Sequence, residues 1–253
     1  MKKICLPLLG LLLGAAAFSN CALGQDSTTL ANTVVNAPDR SPEDRALDGG
    51  RKPAELLAFL GIKPGWRVAD LGAGGGYTAE LLVRAVGSDG VVYGQNSPAV
   101  LKMFAEKAWT ARLAKPVMKG VVRLDRDFDD PFRPGMPMLD AVAMVLFYHD
   151  TVWLGTDREA MNAAVFKALK PGGVFLVVDH SARTGDGTDV ASSFHRIEED
   201  VVKKEVLAAG FVLDAEADFL RNSSDTRLWN DSPRAAGDRR GTSDRFVLRF
   251  RKP

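Results

Sequence analysis

Cysteine is almost absent from this chain: Cys5 and Cys21 are the only two in 253 residues. Both fall within the first 24 residues, so a chain trimmed there has no thiol. That excludes a disulfide framework, a thiolate metal site and a cysteine nucleophile. Histidine is scarce as well, with only His149, His180 and His195. Neither sign of charge dominates. The 33 basic and 32 acidic residues leave a formal net charge of +1, with no long run of either. Such a balance gives no support to a nucleic-acid partner or an anionic-membrane surface. A long enough apolar stretch is also lacking, because Ile4 to Phe18 spans fewer than the roughly 20 residues that cross a bilayer.

What is present at the start reads as an export signal. Lys2 and Lys3 precede that uncharged run, and Ala22-Leu23-Gly24 offers small residues for cleavage before Gln25. A second possible cut follows Ala17-Phe18-Ser19. Phe18-Ser19-Asn20 is a poor match to the residues that precede a lipidated cysteine, which argues against lipidation at Cys21. The expectation is therefore a cleaved leader at 1–24, a periplasmic or secreted mature protein, and no stable membrane span after cleavage.

Residues 25–41 are polar and patternless and read as a linker; a single domain is expected over 42–253. Within it, helical and strand-like runs alternate. "WRVADLG", "GVVYGQ", "GVVRL", "LDAVAMVLFY" and "GVFLVVDH" read as strands. Helices are expected near 42–60, over "YTAELLVRAV", and near 98–109, 157–169 and 194–209. Near-continuous apolar runs such as "VFLVV" suit central parallel strands covered on both faces. The fold class is thus α/β, a doubly wound, mostly parallel sheet. Two final strands, "FVLDAEADFL" and "DRFVLRFRKP", flank a polar stretch at 221–243 with no helix between them, so an antiparallel edge pair is expected.

The first strand ends at Asp70 and runs directly into Gly72, Gly74 and Gly76, with a helical run beyond. Open α/β sheets bind ligands at such a turn, where backbone approaches closely and a helix presents free N–H groups. The spacing is G-x-G-x-G, with Tyr77 where a dinucleotide fingerprint places its third glycine. A tight turn that holds no ligand is the alternative.

These residues carry a resemblance. "VADLGAGGG" resembles the first motif of the class I S-adenosylmethionine-dependent methyltransferases, and "LKPGGVFLVVDH" resembles their later turn-and-strand motif. The resemblance covers roughly residues 43–253. Through "RKPAELLAFLGIKPG", "VLFYHDTVW" and "DRFVLRFRKP" the chain is similar to a group of exported bacterial proteins described only as predicted methyltransferases. The resemblance implies a Rossmann-like seven-stranded sheet and S-adenosyl-L-methionine as cofactor. Asp70, Gly72, Ala73, Gly74 and Gly76 would hold its methionyl part. The end of the second strand, commonly an acid, would take the ribose hydroxyls; here "YGQN" puts Gln95 or Asn96 there, without charge assistance. In "DRDFDDPF", Asp127 would meet the adenine amino group and Phe128 pack on the ring, with plain core packing the alternative for Phe128.

His149 and His180 each follow a buried strand and should emerge side by side at the carboxyl edge of the sheet; His195 is expected to open the next helix. Three roles stand open: one of them, foremost His149, as general base; a metal site formed by the three with a carboxylate; or structural hydrogen bonding. Their separations of 31 and 15 residues match no short metal motif, so no metal is assigned. Methyl transfer from a sulfonium depends mostly on positioning, and Tyr77, Phe147, Tyr148 and Trp153 are placed to face a cation. Arg45, Asp48 and Arg51 are candidates for a lid over the cofactor. The functional expectation is methyl transfer to a small or lipid-like acceptor. The alternatives are a binding module without chemistry, a nicotinamide oxidoreductase and a histidine-based metalloenzyme.

Overall fold

The computed structural model describes residues 28–253; the leader expected at 1–24 lies outside them. Seven strands form one sheet: β1 (Arg67–Leu71), β2 (Val91–Asn96), β3 (Val121–Asp125), β4 (Leu139–Val145), β5 (Leu169–His180), β6 (Val212–Ala217) and β7 (Arg245–Arg251). Their order is β3-β2-β1-β4-β5-β7-β6. β1 to β5 pair in parallel, whereas β7 runs antiparallel to both β5 and β6. This is the expected α/β sheet with its antiparallel closing pair. The order reverses between β1 and β4, the place where such sheets leave a crevice.

Burial explains the apolar runs. Val68 to Leu71 of β1 and Phe175 to His180 of β5 are almost wholly enclosed, and Ala141 to Met144 of β4 are fully so. β6, at the edge, keeps most of its side chains exposed, as one-sided cover allows. Trp109, fully buried on the helix Glu106–Leu113, lies across Gly94 of β2; a Cβ there would meet its ring at 2.5 Å. A π-helical turn, Leu101–Ala105, precedes that helix and leaves Met103 and Phe104 about half exposed.

Two expectations need correction. The stretch read as a linker contains a helix at 28–35 whose Ala31 and Val34 are buried in the core. Its apolar face is too short to stand out from its polar neighbours. The single helix expected at 194–209 is instead Ala191–Phe194 and Glu199–Ala208. His195, at φ 53°, closes the first piece, and Ile197 then bridges to Ser181 beside β5. Arg196 between them is fully buried and paired with Asp225 at 2.8 Å, and that burial pulls the chain out of the helix.

Candidate functional site

A cavity of about 840 Å³ opens at the carboxyl edge of the sheet, over the β1/β4 switch. Gly72 to Gly75 line one side, Val145 to Phe147, His149 and Asp150 another, and His180 and His195 a third. The helix Pro42–Arg51 and part of the polar 221–243 stretch complete the wall.

The glycine turn is held from beneath. Gln95 Oε1 accepts the Gly72 N–H at 3.0 Å, and Asn96 Oδ1 accepts the Gly74 N–H at 2.8 Å. Asn96 Nδ2 donates to the Gly74 carbonyl at 3.1 Å, and Gln95 Nε2 donates to the Arg126 carbonyl. An amide is required at both places, because a carboxylate could not also donate. Gln95 and Asn96 are fully buried in this role and do not line the cavity, so the ribose contact expected of them is not what the structure places there. Asp127 is exposed in the segment after β3, and Phe128 is buried against Phe147 with ring centroids 5.1 Å apart. Neither reaches the cavity; for Phe128, core packing is the reading the structure supports.

The three glycines differ. A Cβ at Gly72 would strike Phe147 at 2.6 Å, and one at Gly76 would strike Trp109 at 2.5 Å. These two make room for protein aromatics. Only Gly74, at φ 54°, faces open space. Below the turn Asp70 is 1% exposed and its Oδ2 has no partner. Burial raises its pKa to about 7, against the pull of the Ala79 N–H and the Arg51 charge.

Tyr77 and the helix Pro42–Arg51 form the roof. The Tyr77 hydroxyl donates to Asp48 Oδ1 at 2.6 Å, Asp48 takes Arg40 in a bidentate pair, and Arg51 lies 4.5 Å over the Tyr77 ring. Burial and the Asp48 charge push the Tyr77 hydroxyl's pKa well up. Of the expected lid residues, Arg51 lines the cavity, Asp48 supports it from behind, and Arg45 binds the Ala37 carbonyl away from it.

The histidines do converge. His149 Nδ1 lies 2.7 Å from Asp179 Oδ1, while its Nε2 lies 3.1 Å from both Asp150 Oδ1 and His195 Nδ1. Asp179 also accepts the backbone N–H groups of His149 and His180. Burial opposes a charge on His149, but Asp179 and Asp150 outweigh it and raise its pKa to about 10. Asp150 is held well below the carboxylate range despite its burial, chiefly by His149. His180 stands 5.6 Å from His149 between ring centroids, with Nδ1 against Ser243 and Asp231. Burial pulls its pKa down to about 4, so it is neutral. Sequence reasoning missed Asp231, Ser232, Arg234 and Arg240, which enter the wall from the polar stretch. No periodicity marks that stretch, whose anchor is the buried Arg196–Asp225 pair with Trp229 stacked between Arg196 and Arg239.

No family model matches the chain. Solved structures that it resembles include an S-adenosylmethionine-dependent methyltransferase from Aquifex aeolicus, at TM-score 0.59 and 16% identity, covering 88% of this chain and 98% of that one. A second, an S-adenosylmethionine-dependent methyltransferase from Mesorhizobium loti, gives TM-score 0.56 and 19% identity over 81% and 100%. A third, an S-adenosylmethionine-dependent O-methyltransferase from Thermotoga maritima, gives 0.50 and 19% over 88% and 71%. At these identities the likeness is one of fold: the chain has the seven-stranded Rossmann-like architecture of the class I methyltransferases.

Proposed function

We propose that the chain is an S-adenosylmethionine-dependent methyltransferase acting on a small or lipid-like acceptor. The observation that carries this is the cavity at the β1/β4 switch, bounded by the glycine turn and facing all three histidines. The residues fit the methionyl end of the cofactor. Asp70 lies beneath the turn, outside the cavity lining, with a carboxylate oxygen that an ammonium reaching through the turn would satisfy, and the space beside Gly74 is open. When bound, the cofactor supplies a methyl group on a sulfonium. The half-exposed Met103 and Phe104, with Trp153, give the cavity an apolar flank suited to a lipid-like or aromatic acceptor. The charged state favoured at His149 opposes its acting alone as a base, so acceptor activation is assigned to the His149–Asp150–His195 group together. Export of the mature protein and kinship with exported bacterial methyltransferases belong to the same proposal.

A second reading, a binding module without transfer, draws on the end of β2, where Gln95 and Asn96 are committed to the turn and supply no acid. Calorimetry of the purified protein with S-adenosylmethionine and with NAD separates the cases. Micromolar binding of the first alone is expected, and Asp70→Asn should weaken it about ten- to a hundredfold, the loss of one charge-assisted hydrogen bond. No binding of S-adenosylmethionine up to about 1 mM would overturn the proposal. Binding without turnover of any acceptor would favour the module.

A further inference from the structure

We propose that His149, Asp150 and His195 form a binding site for one divalent transition-metal ion at the floor of the cavity. His149 Nε2, His195 Nδ1 and Asp150 Oδ1 lie 3.1, 3.1 and 3.2 Å from one another. Three ligands held about 2.0–2.1 Å from a shared ion stand roughly 2.9 Å apart at right angles and 3.3 Å apart in a tetrahedron. The observed triangle falls between these values, so one ion can lie at ligand distance from all three atoms. Among the described residues this is the group of histidine and carboxylate atoms that meets within such a distance.

The surroundings support the ligands as metal sites require. Asp179 receives His149 Nδ1 at 2.7 Å, which fixes the ring and turns its Nε2 toward the other two atoms. A second Asp179 oxygen takes the His149 backbone N–H at 2.7 Å, so the carboxylate cannot swing away. Trp153 Nε1 donates to Asp150 Oδ1 at 2.8 Å and orients the third ligand. Both segments carry left-handed backbone beside the ligands: Leu146 stands at φ 57°, three residues before His149, and His195 itself at φ 53°. Left-handed backbone at residues other than glycine persists where the rest of the structure enforces it, and it clusters at functional sites.

The same three atoms meet one another at hydrogen-bond distance, and an ion would replace those contacts with ligand bonds. Metal binding takes His149 in its neutral tautomer, with the Nδ1 proton directed to Asp179 and the Nε2 lone pair toward the other two atoms, so the ion takes the place of a proton there. A cation satisfies all three at once. Two imidazoles and one carboxylate make a ligand set suited to zinc, cobalt or iron(II), and three protein ligands leave positions for water or an acceptor. All three residues line the cavity, so those positions face the proposed acceptor. An acceptor hydroxyl bound there would lose its proton more readily. His180, included with the other two in the sequence-level metal reading, is engaged with Ser243 and Asp231 and is not a ligand.

The site does not depend on the methyl donor, so it is tested with metal alone. The full chain, expressed without a histidine tag and freed of metal by chelation, is titrated with zinc and with cobalt by calorimetry. One site is expected, with zinc bound below about 1 μM. Asp150→Asn and His195→Gln should each weaken it at least a hundredfold, and Asp179→Asn about ten- to a hundredfold through the lost orientation of His149. X-ray absorption of the zinc-loaded wild-type protein should show two imidazoles and needs no variant. Zinc binding weaker than about 100 μM, fewer than two imidazoles, or unchanged affinity in a folded His195→Gln protein would overturn the proposal. Donor affinity measured on the metal-free protein reports separately on the methyltransferase reading.

Discussion

Replacing Asp70 by Asn should make the folded protein more stable at alkaline pH and change little in acid. Asp70 is 1% exposed, with one carboxylate oxygen unpartnered, and its pKa stands at about 7 rather than near 3.8. Because the folded state holds this proton more tightly than the unfolded one, stability falls as pH rises from about 4 to about 7. The full effect is roughly 4 kcal/mol at 1.36 kcal/mol per pKa unit, of which about 2–3 kcal/mol develops between pH 5 and pH 8. Asn keeps the shape and an acceptor for the Ala79 N–H but carries no charge. Urea unfolding of wild type and Asp70→Asn at both pH values isolates the effect, since other titrating groups cancel in the difference. The variant should gain about 2–3 kcal/mol on wild type between pH 5 and pH 8. A difference that does not change with pH would refute the reasoning, and would mean that water or Arg51 already satisfies the carboxylate.

Two further predictions concern packing and polar anchoring. Gly76→Ala, at φ 83° with Trp109 2.5 Å from the new Cβ, should cost about 2–5 kcal/mol in urea unfolding. Gly74→Ala, with open space around it, should cost only about 1–2 kcal/mol yet weaken donor binding; equal losses at the two positions would refute the distinction. Arg196→Met should cost about 3–5 kcal/mol by leaving Asp225 buried and unpaired, and adding Asp225→Asn should recover part of it. A loss below about 1 kcal/mol would show that Trp229 and the Arg227 and Asp244 backbone N–H groups hold Asp225 without the guanidinium.

The sheet was legible because its signal is local. Near-continuous apolar stretches in β1, β4 and β5 and the glycines that end elements follow from burial and backbone sterics that act within a few residues. The placement of His149 and His180 at strand ends was legible for the same reason: a residue that follows a central strand emerges at the carboxyl edge. The helix at 28–35 was not, because only Ala31 and Val34 of its short apolar face are fully buried, with Leu30 and Val35 packed at the margin. The break at His195 was hidden as well, since it comes from Arg196 pairing with Asp225, 29 residues away.

Sequence alone therefore determined the α/β architecture, the antiparallel closing pair and the glycine turn at the end of β1. Tertiary structure decided what each turn residue does. Gln95 and Asn96 bind the turn because a parallel register sets Leu71 beside Gln95, and Gly72 and Gly76 accommodate Phe147 and Trp109 from distant segments. It also decided that His149 and His195, 46 residues apart, meet Asp150 at 3.1 and 3.2 Å while His180 turns to Asp231. Such contacts depend on long-range pairings whose geometry exists only once the sheet has closed around its core.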